Sequence, residues 1–139
     1  MHFTEKVAVT CEGDPCNGGH CDRSSGSIVC TNCPSGKIGP RCDIYEVIIC
    51  ERETGVIECP AGQVIDIQEA FYGREDQITC FYENELVTET NCSSPSALEG
   101  YGNLCNDKTT CMVTASNSVT GDDPCPVVYK YVRIRHTCI

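Results

Sequence analysis

Fourteen cysteines in 139 residues constrain this chain more than any other feature of it. An even number of cysteines spread along the whole length marks a secreted scaffold held by disulfides. Their spacing falls into two regimes. Cys11, Cys16, Cys21, Cys30, Cys33 and Cys42 crowd together with Gly, Pro, Asn and Ser between them. Cys50, Cys59, Cys80, Cys92, Cys105, Cys111, Cys125 and Cys138 are spread through a more apolar remainder. Two modules are therefore expected, residues 1–43 and 44–139, with Asp43-Ile44-Tyr45 as the joint. Bridged modules fold below the size at which a hydrophobic core suffices alone.

Residues 1–10 are too polar for a signal peptide, and no apolar run approaches about 20 residues. Met1 reads as an introduced start or as the edge of a mature chain, with the secretion signal missing, and no membrane span is expected. The net charge is −10, split unevenly. Residues 1–43 hold four Lys/Arg against five Asp/Glu, and the remainder six against fifteen. Such an acidic surface disfavours nucleic acid and anionic membranes as partners and leaves neutral sugars or basic proteins open.

The first module has little to bury beyond Ile28, Val29 and Ile38, so its bridges must hold it. Gly18-Gly19, Ser25-Gly26 and Ser35-Gly36 mark turns between short hairpin strands. Six cysteines allow fifteen pairings, and spacing does not choose among them. Cys30-x-x-Cys33 has the form of a redox or zinc half-site, and His20 sits beside Cys21, but no strand–helix context surrounds the pair, and structural bridges are the expectation. The run Cys33-Pro-Ser-Gly36-Lys-Ile-Gly39-Pro-Arg-Cys42 resembles the ending of the epidermal-growth-factor-like (EGF-like) module. That resemblance implies Cys11–Cys21, Cys16–Cys30 and Cys33–Cys42. It departs in having two residues, Thr31-Asn32, between the fourth and fifth cysteines where the family usually has one. Val7-Ala8-Val9-Thr10 stand where the calcium-binding subclass carries acidic residues, so no calcium is expected.

In the second module, β-branched content and alternation predict strands at Val47–Ile49, at Gln63–Gln68 with Ile65 and Ile67 on one face, at Met112–Ala115, and at Lys130–Cys138. Ser94-Pro95-Ser96 ahead of Ala97-Leu98-Glu99 predicts a helix start, with Leu98 and Leu104 inward and Gly100 and Gly102 keeping the helix short. Asp122-Asp123-Pro124-Cys125-Pro126 is a stiff turn leading to Lys130, able to hold an acceptor and a donor at fixed separation.

Cys50-Glu51, Cys59, Ala70-Phe71-Tyr72-Gly73-Arg74 before Cys80, Cys105-Asn-Asp-Lys-Thr-Thr-Cys111, and Asp123-Pro-Cys125 with Lys130-Tyr131 together resemble the sea-urchin-egg-lectin (SUEL) domain, the rhamnose- or galactose-binding lectin also found in latrophilin receptors. The likeness covers nearly all of residues 48–139. It implies a disulfide-rich, mainly β protein: a small EGF-like hairpin module, then a compact β-sandwich lectin domain with one or two short helices. It also implies the pairs Cys50–Cys80, Cys59–Cys138, Cys92–Cys125 and Cys105–Cys111.

The same resemblance implies a sugar site of Glu51, Tyr72, Asn117, Asp123, the turn around Val127, and Lys130. Glu51 and Asp123 accept, Lys130 donates, and Tyr72 gives a wall and a hydroxyl, while Arg74 reads as structural, paired with an acidic neighbour. Two departures stand out. Val127-Val128 replace the usual Gly-Thr of the turn, and a β-branched residue resists positive φ. Asp122 lengthens the approach to Asp123 by one residue.

The expected function is calcium-independent recognition of L-rhamnose- or D-galactose-type sugars on terminal glycans of cell-surface or matrix glycoproteins, with no cofactor and no metal. Weak single-site binding implies avidity from oligomers or repeated domains. The alternative is an extracellular adhesion module that binds a protein partner without sugar. No enzyme is expected: Glu51 and Asp123 imitate a glycosidase pair, but His2, His20 and His136 are scattered and no nucleophile–base arrangement appears.

Overall fold

A computed structural model describes residues 10–80 and 90–139. The readings of residues 1–9, including the absence of acidic residues before Cys11, lie outside the described residues. The chain divides into two compact units between Tyr45 and Glu46.

In the first unit β1 (His20–Asp22) and β2 (Val29–Thr31) form an antiparallel hairpin with Cys21 opposite Cys30. The Asp22 carboxylate accepts the Ser24 N–H at 2.8 Å and starts the turn between them. β3 (Lys37–Ile38) pairs with the first residues of β4 (Ile44–Cys50), Lys37 against Tyr45 and Ile38 against Ile44. The bridges Cys11–Cys21, Cys16–Cys30 and Cys33–Cys42 hold the unit, with Cys16 and Cys42 fully buried.

The second unit continues with β5 (Thr54–Glu58), β6 (Ile65–Arg74), β7 (Cys92–Ser93), α1 (Ala97–Cys105), β8 (Thr110–Thr114), α2 (Asn117–Thr120) and β9 (Tyr131–Cys138). Its main sheet runs β4-β9-β6-β7, and β5 pairs with β8 in a second sheet. The long β6–β9 ladder runs from Ile65 opposite Cys138 to Gly73 opposite Tyr131, with a bulge between Ile67 and Glu69. Ile49, Ile57, Ile65, Ile67, Val113, Val132 and Ile134 fill the shared core with Tyr72 and Tyr101. Full burial of each aliphatic side chain contributes about 1.5–3 kcal/mol. The bridges are Cys50–Cys80, Cys59–Cys138, Cys92–Cys125 and Cys105–Cys111. With its ends 79 positions apart, Cys59–Cys138 restricts the unfolded chain most, by about 4.5 kcal/mol on the chain-entropy argument. Seven disulfides and, among the described residues, nine strands against two short helices make this a disulfide-rich, mainly β chain.

One helix expectation is corrected. Leu98 is 50% exposed, because the buried stripe of α1 is Ala97, Tyr101 and Cys105, four residues apart. The helix is short, nine residues that include Gly100 and Gly102. Gly100 is a contact rather than a break: a Cβ there would lie 2.6 Å from the Val119 carbonyl of α2.

Candidate functional site

Three chain segments meet at the start of β9. The Glu51 N–H donates to Lys130 O at 2.9 Å, and an isolated parallel bridge joins Glu51 to Ala115. Glu51 is thereby fixed between the start of β9 and the end of β8. β6 delivers Tyr72 beside it. The neighbouring Gly73 makes this possible, since a Cβ there would sit 2.1 Å from the Cys92 carbonyl of β7.

Lys130 is the centre. Its side chain is 3% exposed, and its ammonium lies 3.2 Å from Glu51 Oε2 and 3.1 Å from Asp123 Oδ1. It also donates to Cys125 O at 3.2 Å and Val128 O at 3.0 Å. Four acceptors surround three N–H bonds. Tyr72, fully buried, donates to Asn117 Oδ1 at 2.6 Å and lies 3.4 Å from Glu51 Oε2. Burial first, and then the charge of Glu51, push its phenol far above the ordinary tyrosine range, so it stays a donor.

All six expected residues therefore belong to one neighbourhood, but two change role. Lys130 is not a surface donor, because its hydrogens are spent on two carboxylates and two carbonyls. Tyr72 is not a wall, because its ring is core and its hydroxyl is committed beneath Asn117. The polar side chains that remain open to solvent are Asn117, Asp123 and part of Glu51. Among the described residues, the Asn117 Nδ2 hydrogens and Asp123 Oδ2 are uncommitted. Two carboxylates and one ammonium leave one net negative charge, suited to accepting from neutral hydroxyl donors.

The two departures are accommodated differently. The added Asp122 turns inward, where Ser94 Oγ donates to its Oδ1 at 2.6 Å, leaving Asp123 for Lys130 and for the Cys125 N–H at 3.3 Å. Val127 takes the backbone conformation of glycine: its φ is +59°. With Pro126 before it and Val128 N–H bonded to Cys125 O at 3.1 Å, the turn has the type II pattern, Pro second and positive φ third. The Val127 side chain stands fully in solvent.

Arg74 is structural, and among the described residues its hydrogen-bond partners are backbone carbonyls. It is fully buried and donates to three backbone carbonyls, Tyr129 at 2.6 Å, Asp76 at 2.9 Å and Cys80 at 3.0 Å. The first of these anchors the chain one residue before Lys130. Sequence reasoning missed Tyr129, whose hydroxyl donates to the Glu51 carbonyl at 3.3 Å, and the Ser94–Asp122 pair. Adjacency to Lys130 was the available signal for Tyr129, and the extra residue itself for Asp122.

Residues 57–138 match the profile of the D-galactoside/L-rhamnose binding SUEL lectin domain, more than half of the chain. The chain belongs to the SUEL lectin family. Tyr72, Asn117, Asp123, Val127 and Lys130 lie inside the matched span of this SUEL chain, and Glu51 just ahead of it. The L-rhamnose-binding lectin SML of Scomberomorus niphonius is 36% identical over 94 residues, which are 66% of this chain and 45% of that protein. Latrophilin-like protein 1 of Caenorhabditis elegans is 32% identical over 92 residues, 66% of this chain and 9% of that protein. Adhesion G protein-coupled receptor L1 of Homo sapiens is likewise 32% identical over 92 residues, 66% of this chain and 6% of the receptor. The chain thus spans less than half the length of each of these curated relatives.

Proposed function

We propose that residues 44–139 form a calcium-independent lectin domain for L-rhamnose- or D-galactose-type sugars, displayed outside the cell. The observation that carries this reading is the Lys130 ammonium between Glu51 and Asp123. It occupies the place a divalent cation would take between two carboxylates, and it holds them in position without metal. Asn117 and Asp123 then offer one donor and one acceptor to adjacent hydroxyls, a pairing that suits a sugar diol. The relation to the rhamnose-binding lectin of Scomberomorus niphonius supports the same ligand class. Both carboxylates are tied to one ammonium, which argues against either serving as a glycosidase acid. The three bridges and hairpins of the first unit support an EGF-like reading for residues 1–43. Seven disulfides support an oxidising, extracellular setting, and no helix among the described residues is long and apolar enough to cross a membrane.

A glycan array probed with and without chelator tests the proposal. Signal on terminal rhamnose or galactose that survives chelator supports it, and chelator-sensitive signal contradicts the metal-free site. The fully exposed Val127 favours a second reading, adhesion to a protein partner through this turn. A blank array together with retention of a protein partner, lost in Val127→Asp, would select that reading instead.

A further inference from the structure

With Tyr72 and Lys130 below the surface, the groups that the cluster exposes are polar: Asn117, Asp123 and part of Glu51. A hexose also presents C–H surface, and sites that hold small ligands set apolar contact beside their polar groups. Val127 is placed to give it. Its side chain is 107% exposed at the third position of the Cys125–Val128 turn. The two end carbonyls of that turn both hold the Lys130 ammonium, at 3.2 and 3.0 Å. The turn is clamped from beneath, and the clamp keeps a β-branched residue at φ +59°, where glycine or asparagine is at ease. A strained residue held by its surroundings beside a ligand site is a recurrent sign of function.

We propose that the Val127 isopropyl group is the apolar contact of the sugar site and reads the substituent at C5. It favours the methyl of a 6-deoxyhexose over the hydroxymethyl of the parent hexose. This rests on the lectin reading above. Asn117, Asp123 and Glu51 take the hydroxyl-bearing edge of the ring, which leaves the C5 end for the rim where Val127 stands. A methyl placed there buries apolar surface on both partners. A hydroxymethyl facing the isopropyl group gives up a hydrogen bond to water and finds no replacement.

L-Rhamnose against L-mannose, and D-fucose against D-galactose, are pairs that differ by that one oxygen. Calorimetric titration of the wild type, Val127→Asn and Val127→Gly with all four sugars, accompanied by thermal melts, tests the assignment. Both variants suit positive φ, so they are expected to melt at or above the wild-type temperature. The wild type is expected to prefer the deoxy member of the pair it binds by about fourfold, and both variants to lose that preference. Preference ratios unchanged between wild type and variants overturn the proposal. A folded wild type that binds none of the four sugars overturns the lectin reading, and this assignment falls with it.

Discussion

Lys130 and Glu51 are joined at three points: Nζ to Oε2 at 3.2 Å, the Lys130 N–H to Oε1 at 3.0 Å, and the Glu51 N–H to the Lys130 carbonyl at 2.9 Å. Side chain and backbone of each residue are both engaged, across 79 positions of sequence. The pair is thus the frame on which the site is built, with Asp123 and the Cys125–Val128 turn attached to the same ammonium.

Lys130→Met is expected to destabilise the fold by about 3 kcal/mol. It would strand a mostly buried Glu51 carboxylate and two carbonyls while keeping the apolar stem. Half-exposed Asp123 keeps part of its solvation, which holds the cost at the low end for a buried pair. Guanidinium unfolding measures it. A loss under 1 kcal/mol contradicts the role of Lys130 as the frame.

Tyr72→Phe removes the donor at 2.6 Å from Asn117 and leaves the ring in place. The expected cost is about 1–2 kcal/mol of stability. Sugar affinity should fall as well, because the Asn117 amide is no longer oriented. Unchanged affinity in a folded variant would show that Asn117 needs no such support.

Much of this was legible in the sequence, for definable reasons. The cysteines fixed the class, and alternation located β4, β8, β9 and the first half of β6. The second half of β6 was hidden by the bulge between Ile67 and Glu69, which breaks the period of two before Tyr72. β5 escaped because Thr54-Gly55 carries no strong strand signal and its pairing with β8 is long-range. The site residues were named through family resemblance, but their roles depend on burial. A lysine reads as solvated until a carboxylate from a distant segment covers it.

Val127→Gly should stabilise the protein by about 0.5–1 kcal/mol, the relief of positive φ in a β-branched residue less the added entropy of the unfolded chain. A rise of a few degrees in Tm would register it. A drop in Tm would mean that the isopropyl group, despite its exposure, contributes packing to the fold.

His136 is 3% exposed in β9, opposite Ile67, and burial lowers its affinity for a proton. The unfolded imidazole binds a proton near pH 6.5 and the folded one resists, so the unfolded state holds more protons below that pH. Stability is therefore full above about pH 6.5 and declines as the pH falls below it. Denaturant midpoints at pH 7.5 and pH 5.5 should differ in the wild type, with a smaller difference in His136→Leu. An equal difference in both would assign the acid sensitivity to other groups.

The most direct test of the central claim is an NMR titration of the wild type with L-rhamnose and D-galactose, with and without chelator, following the Asn117 side-chain amide. The account predicts saturable shifts of that amide with at least one sugar, the same dissociation constant with chelator present, and loss of the response in a folded Asn117→Ala. No saturable shift with either sugar, or binding that disappears with chelator, would contradict it.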